Sequence, residues 1–264
     1  QGLTGAYQWI DLYGEGLPGI LTEQANGWFY KTNLGDGHFT PALAVAPKPS
    51  LNGLGSSLQW TDLDADGRRQ VVSRTGALQG YYELDDDQHW HSFRAFKKNV
   101  NIDWNSPYTK MLDLNGDGRP DVLVTEDRAW TWYANEGTDG FDVGGNAQNF
   151  SDEEKGPRLL LNDQVQSIFL ADMNGDGMTD IVRIKNGEVC YWPNMGYGRF
   201  GMKVTMSNAP NFDRPDTFNP LYITLADISG TGAADIIYLG HNKCTAWINL
   251  AGNALSDAAD INPL

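Results

Sequence analysis

Two stretches place hard oxygen donors at alternate positions of a short loop. Asp113, Asn115, Asp117 and Asp121 stand at positions 1, 3, 5 and 9 of "DLNGDGRPD", and Asp172, Asn174, Asp176 and Asp180 at the same positions of "DMNGDGMTD". Position 7, Arg119 or Met178, would add its backbone carbonyl. Such a donor set suits a hard divalent cation, which takes six to eight oxygens at about 2.3–2.6 Å. Ca²⁺ fits better than Mg²⁺, which resists cages made only of protein. An EF-hand reading fails, because position 12 is Val124 or Arg183 rather than Glu and strand-like runs flank the loop. Two Ca²⁺ sites are therefore expected.

The loop recurs with decaying chemistry. Copies begin at Asp11, Asp62, Asp113, Asp172 and Asp227, at intervals of 51, 51, 59 and 55 residues. The second copy keeps Asp62, Asp64 and Asp66 but has Gln70 at position 9, which makes it a weaker metal site. The fifth, with Ser229, Thr231 and Asp235, carries too little charge, and the first, with Tyr13 and Gly19, has lost the pattern. The leading Asp and the glycine at position 6 persist in all five copies. A fixed glycine implies a bend at positive φ, and an aspartate can accept backbone N–H bonds within its own turn. A scaffold that outlives its ligands points to ions that staple a fold rather than to an ion at a reacting centre.

The elements holding these loops are strands. Position 2 is always apolar, and positions 10 and 11 are aliphatic pairs: Ile20 and Leu21, Val71 and Val72, Val122 and Leu123, Ile181 and Val182, Ile236 and Ile237. An aromatic run follows each pair, as in "GWFYKTNLGDGHF" and "VCYWPNMGYGRF", and four copies then carry Asn (Asn33, Asn135, Asn194, Asn249). This reads as a third strand, a hairpin turn and a fourth strand. Four short strands in every fifty or so residues predict an all-β chain, a β-propeller of four-stranded blades with five repeats, here a single domain over 1–264. The flanks before Asp11 and after Asp227 together equal about one repeat. The N-terminal "GAYQWI" is therefore expected to complete the last blade. Residues 149–160 read as one polar turn in an insertion.

The bulk properties narrow the partners. With 34 acidic against 19 basic residues, the net charge of −15 excludes nucleic acid and anionic membrane surfaces. No run reaches the roughly 18 apolar residues of a membrane span. Cys190 and Cys244 lie in different repeats and are expected to be free thiols. No leader pattern opens the chain, which is expected to be a piece of a longer one. "HWH" at 89–91 has metal-like spacing but also reads as an exposed hairpin. No motif of nucleophilic, phosphate-binding or zinc chemistry is present, and no catalytic pair is nominated. Trp28, Trp130, Trp132, Trp192 and Trp247 recur at similar places. They are either packing between blades or platforms for sugars.

The paired signatures, D-x-[DN]-x-D-G-x-x-D followed by W-x-N-x-G-x-G-x-F, resemble the FG-GAP repeats of integrin α-chain propellers, which carry Ca²⁺ in this loop. A narrower resemblance covers about residues 5–255. "DLYGEGLPG…WFYKTNLG" and "DISGTG…WINLAGN" look like the first and last blades of the propeller in the B component of insecticidal toxin complexes (Tc toxins). That resemblance implies a secreted, non-enzymatic module. It implies partners too: the C component, with which B forms a closed cocoon, and the pentameric A component, a channel on which the propeller docks and for which it acts as a gate. The family's propeller has six blades, so a sixth would be cryptic, within 141–165, or outside this chain. A calcium-stabilised adhesin or lectin is the alternative function.

Overall fold

The computed structural model describes residues 7–24, 27–45, 49, 58–74, 79–85, 87–126, 129–147, 152–157, 167–240 and 243–261. It is a β-propeller of five four-stranded antiparallel blades. The first blade contains Tyr7–Ile10, Gly19–Gln24, Gly27–Lys31 and Leu43–Ala44, and the second Leu58–Thr61, Gln70–Ser73, Gly80–Tyr82 and Arg94–Ala95. The third contains Thr109–Leu112, Asp121–Glu126, Ala129–Asn135 and Phe141–Ala147, and the fourth Ile168–Ala171, Asp180–Lys185, Glu188–Trp192 and Val204–Thr205. The fifth contains Ile223–Ala226, Asp235–Leu239, Cys244–Trp247 and Ala259–Ile261. Each leading Asp sits in the loop between the first and second strands of its blade.

One expectation is corrected. The N-terminal strand does not complete the last blade: Tyr7–Ile10 pairs with Gly19–Thr22 as the first strand of the first blade. The fourth strand of the fifth blade comes from the C-terminal side, with Cys244 opposite Ile261. Flank lengths are compatible with either pairing, and Trp9 opposite Ile20 follows from the register of the first hairpin. Of the segment 141–165, residues 141–147 are the third blade's fourth strand and 152–157 form a turn; the rest lies outside the described residues.

The chain divides into two compact units. The first comprises Gln1–Trp104 with Asn135–Asp142, and the second Asn105–Ala134 with Val143–Leu264. In the second unit the aliphatic pairs explain themselves. Neighbouring residues of a strand point to opposite faces. Ile181 therefore joins a core with Leu114, Leu123, Trp130 and Trp132 of the third blade, while Val182 joins one with Ile236, Tyr238 and Trp247 of the fifth. A middle strand covered on both faces reads as a continuous apolar run rather than an alternating one. The turn at 152–157 belongs to the same packing: the Trp192 indole N–H donates to the Glu153 carbonyl at 2.7 Å.

In the first unit, Leu12, Leu21, Trp28, Tyr30 and Val71 share one core. Trp28, Trp60 and Trp90 form a triangle with ring centroids 5.7 to 6.0 Å apart. The hairpin Asn135–Asp142 is tied into this unit by ion pairs, Lys97 to Asp139 at 2.7 Å and Lys98 to Glu136 and Asp142 at 2.6 and 2.8 Å. Both cysteines are free thiols, as expected.

Candidate cation loops and the clasp between blades

All five loops share one frame that needs no ion. The leading carboxylate receives the N–H of the position 6 glycine in every copy: Gly16, Gly67, Gly118 and Gly177 at 2.7 Å and Gly232 at 2.8 Å. Its other oxygen takes a further N–H, from Glu15, Asp66, Gly116, Gly175 or Thr231. The glycine lies at φ between 80° and 89° in all five, a region that costs a side chain strain. These two positions persist because together they close the turn.

Position 9 does a second job. Asp121, Asp180, Asp235 and Gln70 are fully buried. Each accepts the N–H of the position 2 residue: Leu114 at 3.0 Å, Met173 at 2.9 Å, Ile228 at 3.0 Å and Leu63 at 2.8 Å. Gln70 shows that the acceptor matters here and its charge does not. Burial, reinforced by the charges of Asp176 and Asp172, pushes the Asp180 carboxyl up to about 7 against its two N–H donors.

The first blade has no acceptor at position 9, since Gly19 stands there. The Tyr30 hydroxyl fills the place. It accepts the Leu12 N–H at 3.3 Å and shares its proton between the Ile10 carbonyl, at 3.1 Å, and Glu15, at 2.9 Å. A Cβ at residue 19 would collide with that hydroxyl, so the glycine and the tyrosine are one exchange.

The residues missed by sequence reasoning are the hairpin asparagines, read above only as turn formers. In the second unit they reach back to the preceding repeat. Asn194 is fully buried; its amide donates to the Asp113 carbonyl at 2.8 Å, and its own N–H binds Asp180 at 2.8 Å. Asn249 donates to the Met173 carbonyl at 2.9 Å and the Ala234 carbonyl at 3.0 Å, and its N–H binds Asp235 at 2.7 Å. A continuous relay of hydrogen bonds thus runs from the third blade's loop through the fourth into the fifth. Its signal in the sequence was the Asn that follows the aromatic strand in four of five copies.

The predicted metal ligands are placed as follows. In the two complete loops, Asn115 and Asn174 donate to Asp117 and Asp176 at 3.0 Å, and their carbonyl oxygens accept the Asp117 and Asp176 N–H groups. Among the described residues, no three His, Cys, Asp or Glu side chains gather closely enough to hold a metal. The oxygen chemistry fits a hard cation, and in this arrangement N–H groups occupy those oxygens. The two loops also differ. Burial is the largest single influence on Asp117 and works against its ionisation, but the Arg119 guanidinium, 2.7 Å away, together with the Arg119 N–H and the Asn115 amide, holds the carboxyl below its usual range. Met178 takes the arginine's place in the other loop. In the weaker copy, Asp62 and Asp66 stay within the turn, while Asp64 accepts the Thr138 N–H at 3.0 Å. His89 and His91 are exposed on their hairpin, as the plainer reading of "HWH" had it. Trp28, Trp130, Trp132, Trp192 and Trp247 are all buried, so they pack and offer no platform.

Residues 113–183, which span both complete loops, match the FG-GAP-like repeat family. No curated protein matches the sequence. A chain of a mutant Tc holotoxin pore from Photorhabdus luminescens is similar over 100% of this chain and 12% of its own length, with 26% identity and a TM-score of 0.79. A TcdB2–TccC3 complex is similar over 98% of this chain and 12% of its own, with 27% identity and a TM-score of 0.52. A lectin from Agrocybe aegerita, which recognises non-reducing terminal N-acetylglucosamine, has 20% identity and a TM-score of 0.62 over 97% of this chain and 65% of its own; that likeness concerns the fold alone. This chain therefore spans 12% of the length of the toxin chains it matches. In sequence and in fold it is similar to the β-propeller region of B-type Tc toxin proteins, with FG-GAP-like repeats.

Proposed function

We propose that the chain is a non-enzymatic docking and gating module of an extracellular toxin-translocation complex. In this reading it closes one end of a cocoon formed with the C component and binds the pentameric A-component channel. The observation that carries the reading is the similarity, over all of this chain and 12% of the other, to a Tc holotoxin pore chain at 26% identity. Within the second unit, blades tied by these clasps make a stiff body, which suits a part that must seat on a partner.

Calcium belongs to the same reading, as a staple rather than a reagent. The loop Asp172–Asp180 is the stronger of the two sites, because a bound cation there would not compete with an internal guanidinium as it would at Asp117. The alternative adhesin reading lost its tryptophan platforms to burial.

The test is capture of this chain by purified A-component pentamers, in Ca²⁺ and again in EDTA. Capture in both conditions makes the ions dispensable to docking. Capture only in Ca²⁺ makes the loops staples of the docking surface. A folded chain that is captured in neither overturns the proposal.

A further inference from the structure

In the first unit, the first loop, which has lost the cation pattern, and the second, the weaker candidate site, face a cleft of about 230 Å³. Leu12, Tyr13 and Leu84 give it an apolar base, and Arg68, Arg69, Asp85 and Gln88 give it hydrogen-bonding groups. Gly14 and Gly67 add backbone walls, and neither has an atom within 4 Å of where a Cβ would sit. The base is firm. Leu12 belongs to the core of the first unit, Tyr13 and Leu84 pack against that core, and the Tyr13 ring meets Tyr30 edge-on at 5.3 Å. The Asp85 carboxylate is oriented by the His89 N–H at 2.8 Å. The first loop has exchanged an oxygen ligand at position 3 for Tyr13, so a residue released from cation duty now lines the cleft.

We propose that this cleft binds one pyranose ring of a glycan. The volume lies below the roughly 300–1,000 Å³ of drug-sized pockets, which suits a single sugar ring. A pyranose has an apolar C–H face, matched by Tyr13, Leu12 and Leu84, and a rim of hydroxyls that each donate and accept. Arg69 donates only, Asp85 accepts only and Gln88 does both. Arg68 and Arg69 outnumber Asp85, so an acidic pyranose suits the rim as well as a neutral one, whereas a purely apolar ligand would use none of these polar groups. The inference does not depend on docking to a channel.

The Trp28, Trp60 and Trp90 triangle lies in or against the same core as the cleft base and provides a reporter. Tryptophan fluorescence of the full chain should be titrated with a panel of methyl pyranosides, comprising neutral, N-acetylated and uronic forms, beside saturation-transfer NMR of the same mixtures. The expected result is a saturable response to at least one glycoside, weakened about ten-fold or more by Arg69→Ala and by Asp85→Asn, as loss of one charged hydrogen bond implies. Melting temperatures of the variants should be unchanged; if either fails to fold, Gln88→Asn, which tolerates the positive φ of that position, takes its place. No saturable response in either method overturns the proposal, and so does binding that all these variants leave intact.

Discussion

The Tyr30 hydroxyl accepts the backbone N–H of Leu12 at 3.3 Å, from a strand eighteen residues further on, and stands where other blades place a buried carboxylate or amide. The requirement at this point is an acceptor for one orphan N–H. Gly19 and Tyr30 meet it jointly: one clears the space that the other fills. Tyr30→Phe removes the acceptor and leaves a buried donor unpaired, which costs about 1–3 kcal/mol. Hydrogen exchange should show the loss in faster exchange of the Leu12 amide, with the fifth blade's Ile228 amide unchanged. Equal exchange in the wild type and variant would contradict the assignment.

Asn249→Ala should destabilise the second unit by about 2–3 kcal/mol, because it strands the buried Met173 carbonyl, and Asn194→Ala by about 1–2 kcal/mol, because the Asp113 carbonyl it holds is only half-buried. Asn253, on the surface, is the control, and its change to Ala should stay within about 0.5 kcal/mol. Urea unfolding midpoints check this. A clasp variant no weaker than the control would mean that the asparagines only shape their turns.

The two complete loops should differ in Ca²⁺ affinity. Calorimetry is expected to find tighter binding at Asp172–Asp180, abolished by Asp176→Ala. Arg119→Met should strengthen the site at Asp113–Asp121 by removing the guanidinium from Asp117. An unaltered second affinity in Arg119→Met would show that the arginine does not compete.

The Asp180 carboxyl gives a pH signature in the absence of cations. Its folded value, about 7, lies above the unfolded 3.8, so the native state holds the proton more tightly. Its contribution to stability is then full below about 4 and is lost as pH rises through 7. In EDTA, the wild type should lose stability between pH 5 and pH 8 by more than Asp180→Asn does. Added Ca²⁺ should reverse the trend, since binding favours the carboxylate. Parallel profiles for the two proteins would assign the pH dependence to other groups.

The loops, the aliphatic pairs and the five repeats were legible because each repeats a local requirement: a turn at positive φ, a carboxylate to close it, a strand buried on both faces. What escaped depends on partners that leave no mark in the sequence. Asn194 and Asn249 bind main-chain carbonyls, 81 and 76 residues away, and any residue can supply a carbonyl. Exchange of an aspartate for a glycine and a distant tyrosine looks like decay until the hydroxyl is seen in place. The N-terminal strand was assigned to the wrong blade because counting residues measures length, whereas pairing is decided by which edge the strand meets first.

The clasp is also directional. In the second unit, each later repeat holds an earlier one, through an amide on one side and a backbone carbonyl on the other. Because the acceptor is main chain, the grip ignores which side chains decorate the held loop. Neighbour identity and loop chemistry are thereby uncoupled, so a held loop can change its side chains and keep its place in the series. Such an array can vary one repeat at a time, which gives it fresh surface without rebuilding its frame.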